Sequence, residues 1–66
     1  DKNESKILIY LLENKKINRQ AAVDLLDLQK TRVHEILFEL VDKGYLLRKG
    51  DGPATHYTLA GKEDKE

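Results

Sequence analysis

The side chains equipped for nucleophilic, acid–base or metal-ligating chemistry are Ser5, His34, His56 and the carboxylates, twelve Asp and Glu among 66 residues. The chain has no cysteine, which excludes thiolate zinc sites and disulfide staples. His34 and His56, with their acidic neighbours, lack the close spacing of a dedicated zinc site. Catalysis also requires that reactive groups be oriented and sheltered from water. A chain this short buries only about 60% of its extended surface on folding, which leaves one compact core and no room for a buried catalytic cleft. Neither an enzymatic activity nor a cofactor is expected, and His34, directly after Val33, reads as a flank residue of a helix.

Twelve Lys and Arg balance the twelve acids, so attraction to a polyanion has to come from uneven placement of charge rather than from its total. The longest apolar run, Ile7 to Leu12, is six residues, far short of the roughly 20 that span a bilayer. No signal-peptide pattern precedes it. The expectation is a soluble, cytoplasmic domain with no membrane partner. Methionine is absent and both ends, Asp1 to Lys6 and Lys62 to Glu66, are charged. The chain therefore reads as a single domain, ordered over about residues 4–60 with a charged tail at 61–66, cut from a longer protein.

The elements follow from hydrophobic spacing. Ile7, Leu8, Leu11 and Leu12 predict an amphipathic helix over Glu4 to Asn14, with Asn3 or Ser5 as its cap. Asn18 is a strong cap for a second helix from Arg19 to about Leu26, with Ala22, Leu25 and Leu26 inward and Ile17 placed to act as a hydrophobic staple. After a break at Asp27 and Leu28, the residues Val33, Ile36, Leu37, Leu40 and Val41 follow the i, i+3, i+4, i+7, i+8 pattern of a third helix without a miss. That helix stops at Lys43, because Gly44 suits the left-handed C-cap and would bring Tyr45 against Leu40. The period then changes: Tyr45 to Lys49 and Ala54 to Leu59 read as strands around the turn Gly50-Asp51-Gly52-Pro53, with Thr55, Tyr57 and Leu59 alternating against His56 and Thr58. The class is mainly α with a small antiparallel β-hairpin.

The second and third helices are joined by so few residues that they must cross steeply. The start of the third helix then projects from the surface, as in folds that enter a DNA major groove. At this point the stretch LLDLQKTRVHEILFELVDKGYLLRKGDGPATHYTLAG resembles the winged helix-turn-helix superfamily of bacterial and archaeal regulators. It has the turn, the third helix, an L-x-x-x-G-hydrophobic-L passage into the first strand, and a glycine-rich wing ending in Tyr-x-Leu. The resemblance covers nearly everything from Ser5 to Leu59, and within the superfamily the chain is similar to MarR-like proteins and to the C-terminal modules of divergent ATP-binding or helicase-like regulators.

This resemblance implies a three-helix winged helix-turn-helix whose partner is double-stranded DNA, serving as the DNA-binding module of a transcriptional regulator. It assigns base reading to Gln29, Lys30, Thr31, Arg32 and Glu35, types that suit guanine, adenine, thymine and cytosine edges. It assigns phosphate contacts to Arg19 and Gln20 at the start of the second helix, and to Arg48, Lys49 and His56 on the wing. The chain departs from the family pattern in three places. Asp27 stands where many members have glycine, and Gln29 stands where serine or threonine usually caps the third helix. The wing tip, Asp51 to Ala54, lacks arginine and lysine, so backbone contact falls to the wing stem.

The outward line of the third helix carries Thr31, Glu35, Phe38 and Asp42, with Glu39 alongside. Phe38 lies about 140 degrees from the centre of the apolar stripe at 3.6 residues per turn. With zero net charge and this acidic face, Phe38 supports an alternative reading. In it the winged helix is a protein-interaction or dimerisation module, with Phe38 meeting a second copy or an attached domain.

Overall fold

The computed structural model, which describes residues 2–61, runs α1 (Lys2–Glu13), α2 (Arg19–Leu26), α3 (Lys30–Asp42), β1 (Leu46–Lys49) and β2 (His56–Leu59), with a 3-10 turn at Gly52–Ala54. Most of the charged tail expected at 61–66 lies outside the described residues. The element order and the antiparallel pairing of β1 with β2, in the register Leu46 to Leu59 and Lys49 to His56, are those of three helices followed by a hairpin.

The central helix is α3. Val33, Ile36, Leu37 and Leu40 are buried on it, and it packs against α1, α2 and β1. Around this stripe gather Ile7 and Leu11 of α1, Ala22 and Leu26 of α2, and Ile17, Leu46 and Tyr57. The helix ends as its sequence requires: Gly44 takes φ +89°, its N–H bonds the Val41 carbonyl, and the Tyr45 N–H bonds the Leu40 carbonyl, both at 3.0 Å. These are the paired bonds of a Schellman C-cap. The link from Tyr45 to Leu40 is thus made by backbone, while the Tyr45 ring is exposed and Leu46 is the residue that enters the core.

Asn18 caps α2 as expected. Its backbone is extended and its Oδ1 accepts a 2.8 Å hydrogen bond from the Ala21 N–H, satisfying one of the four N–H groups that a helix start leaves open. Replacing a cap of this kind costs about 1 kcal/mol. Asn18→Ala should therefore lower the melting temperature by about 4–8 °C, and an unchanged melt would show that the cap is dispensable. Asp27 takes the left-handed turn after α2 at φ 57°, with its N–H on the Val23 carbonyl. Gln29 is extended at the start of α3 and makes no side-chain cap bond, consistent with its weakness as a cap.

Three expectations need correction. First, α1 begins at Lys2 and ends at Glu13, so Asn3 and Ser5 lie inside the helix rather than before it. Glu4 in its first turn is 8% exposed and accepts two 3.2 Å hydrogen bonds from Lys43 Nζ. This hydrogen bond, helped by the nearby negative charge, holds the Lys43 ammonium above the ordinary lysine range despite some desolvation. Second, Leu12 is 67% exposed: the buried edge of α1 is Glu4, Ile7 and Leu11, and Leu12 lies beyond it. Third, the strict alternation expected in the second strand fails, since Tyr57 and Thr58 are both buried.

Ile17 borders the same strand. Buried as expected of a staple, it also exchanges backbone hydrogen bonds with Tyr57, Ile17 N to Tyr57 O at 3.0 Å and Tyr57 N to Ile17 O at 2.8 Å. The strand β2 is thereby flanked by β1 on one edge and by the α1–α2 connector on the other. The turn between the strands closes tightly. Gly50 has φ +80°, and a Cβ there would lie 2.3 Å from the Ala54 carbonyl oxygen, so only glycine fits.

Candidate nucleic-acid interface

Two cations begin two helices. Arg19 is the first residue of α2 and Lys30 the first residue of α3, and both line one surface depression with Asn18, Gln20 and Val23 and with Gly52, Pro53 and Thr55 of the wing turn. A helix N-terminus already carries about half a positive charge. Adding a cation to each of two neighbouring N-termini concentrates positive potential in one place, although the chain as a whole is neutral. Among the described residues neither Arg19 nor Lys30 is held in an ion pair.

Arg19 and Lys30 also line a second depression with Thr31, His34 and Glu35 of α3. His34 in turn lines a third with Phe38, Val41, Arg48 and Tyr57. The shared residues make these three depressions a continuous strip, running from the start of α2 along one flank of α3 to the stem of the wing. Most of its lining is polar at the Arg19 end and apolar at the Phe38 end. Among the described residues no group of three or more His, Cys, Asp or Glu could hold a metal ion.

The residues singled out from the sequence divide accordingly. Arg19, Gln20, Lys30, Thr31, Glu35, Arg48 and Phe38 lie on the strip. The Gln20 amide also donates to Asp24 at 3.2 Å. Arg32 lines none of the three depressions and pairs instead with Glu35, Nη1 to Oε1 at 3.4 Å, both side chains exposed. Gln29 is exposed at the junction before α3. Lys49 is exposed at the end of β1, opposite His56. His56 faces away from α3: its Nδ1 meets the Ala54 carbonyl at 2.8 Å, which requires the proton on that nitrogen, and it lines a groove with Tyr10, Lys16, Ile17 and the wing turn.

His34 was legible only as a flank residue, yet it joins the second and third depressions. Its spacing held the clue, since Lys30, His34 and Phe38 recur at i, i+4 and i+8 and therefore share a helix flank. The closeness of the wing turn to the start of α2 had no such clue, because it depends on a hairpin folding back across the molecule. That fold-back accounts for the cation-free tip: Gly52 and Pro53 face the strip's basic end instead of extending beyond it.

No helix among the described residues is long and apolar enough to cross a membrane. Residues 1–46 match the family model for winged helix-turn-helix DNA-binding domains, a span that holds all three helices and stops at the first residue of β1. No curated protein matches the chain significantly. The wing beyond Leu46 is supplied by the structure, which adds the antiparallel hairpin that the family's name requires. Three helices, a short second-to-third connection, the wing and the family match agree, and the chain belongs to the winged helix-turn-helix DNA-binding family.

Proposed function

We propose that the domain is the DNA-reading module of a transcriptional regulator, with the first turns of α3 in the major groove and the wing stem on the adjacent backbone. The observation that carries this reading is the continuous strip on α3, basic where two helix starts converge and bounded at its far end by Arg48. In this arrangement Arg19, Arg48 and Lys49 hold phosphates, assisted by Gln20 and by the open N–H groups of α2. Lys30, Thr31 and Glu35 face base edges, and Gln29 and Arg32 flank them. Arg32 must give up its exposed pair with Glu35 to reach a base, a small cost for a surface ion pair.

About four phosphate contacts imply modest affinity. Each neutralised phosphate contributes about −0.9 to the slope of log affinity against log salt, so raising salt from about 50 to about 200 mM should weaken binding by roughly a hundredfold. The test is a titration of a labelled duplex into isotope-labelled protein at both salts, following backbone amide shifts. Shifts should concentrate at the starts of α2 and α3 and on the wing stem. Shifts confined to α1, or binding indifferent to salt, would sink the proposal.

A further inference from the structure

We propose that Phe38 is a base contact, its ring packing against the 5-methyl group of a thymine and giving the domain a preference for thymine at one position of its site. The inference rests on the DNA-reading orientation proposed above and adds a specificity residue to it.

Phe38 is 66% exposed, and its place on the strip is specific. It lines one depression with His34, Val41, Arg48 and Tyr57, about two helical turns beyond Thr31 and on the same outward face. The end of α3 is otherwise acidic, with Glu39 and Asp42 exposed, which turns phosphate away from this part of the helix. What meets the ring should therefore be uncharged. Among the base edges of the major groove one group is apolar, the thymine methyl, and phenylalanine is among the side chains suited to it. Arg48, which lines the same depression, supplies the neighbouring phosphate contact. A protein docked on Phe38 would cover His34 and Arg48 as well and obstruct the strip, so the ring and the cations are best accounted for by one ligand.

The experiment uses the 66-residue chain and a random-sequence duplex pool. After selection, each thymine of an enriched duplex is replaced in turn by deoxyuracil, which removes only the methyl, and affinity is measured for the wild type and for Phe38→Ala. One substitution should weaken the wild type by about fourfold, the value of one buried methyl-sized group. The same substitution should leave Phe38→Ala unchanged. Uracil tolerated at every position, or equal losses in both proteins, overturns the proposal. So does a free chain that sediments as a dimer and is dispersed by Phe38→Ala, since that assigns the ring to a second copy. Failure of any duplex to enrich would appear before uracil is introduced, and it would overturn the DNA-reading proposal itself. Because Phe38 is exposed, an unchanged circular dichroism melt is expected for Phe38→Ala and separates loss of contact from loss of fold.

Discussion

Reversing both helix-start cations, Arg19→Glu with Lys30→Glu, should abolish duplex binding while leaving the domain slightly more stable. Each side chain is exposed, and neither is in an ion pair among the described residues. Each also sits where a negative charge complements the helix macrodipole by about 0.3–1 kcal/mol. Stability should therefore hold or rise by a few degrees. Binding should move the other way. One charge-assisted hydrogen bond to phosphate, from Arg19, and one to a base edge, from Lys30, are lost, each contributing about 1.5–3 kcal/mol, and two anions now face the DNA, so affinity at low salt falls by at least roughly a hundredfold. The salt slope of any residual binding should drop by about 1, for the phosphate contact of Arg19. Lys2→Glu with Lys6→Glu changes net charge by the same amount on α1 and serves as the control. Equal losses in the two double variants would mean that the strip has no special role and that only total charge matters. Opposite movements of stability and affinity are the diagnostic result, since a damaged fold would lower both.

The control on α1 also shows where sequence reading stops. The α3 stripe was legible because all four of its buried residues obey one helical period and because Gly44 marks the stop. Asn18 was legible because a capping residue acts within three positions of itself. In α1 the spacing of Ile7, Leu8, Leu11 and Leu12 describes a stripe two residues wide, while the rest of the fold covers only one side of it. Which side is covered depends on α3 and β2, elements far along the chain. The burial of Glu4 depends on Lys43, 39 residues away, and the pairing of Ile17 with Tyr57 spans a similar distance. Such contacts leave no periodic trace. The site follows the same division: residue types and helix flanks could be read directly, whereas the meeting of Arg19, Lys30 and the wing turn, and the turning of His56 away from α3, arise only when the hairpin folds back.

The second large effect separates two adjacent residues of α3. Leu37 is fully buried and Phe38 is 66% exposed, one step of about 100 degrees around the helix. A domain of this size has a total stability of about 3–10 kcal/mol at ordinary values per residue, and truncating a buried leucine to alanine costs about 2–5 kcal/mol once the residual cavity is included. The cavity left by Leu37→Ala would sit where α3 meets the rest of the core. A fall in melting temperature of at least about 10 °C is expected, with a substantial unfolded population at 37 °C. Phe38→Ala, which removes an exposed ring, should change stability by no more than about 0.5 kcal/mol. DNA binding distinguishes the two causes. The loss of affinity in Leu37→Ala should track its melting curve and recover on cooling towards about 10–20 °C, where domains of this kind are most stable. Any loss in Phe38→Ala should persist at all temperatures at which the domain is folded. If Leu37→Ala melts like the wild type, the packing of α3 described above is wrong, and the strip built along its opposite flank loses its support.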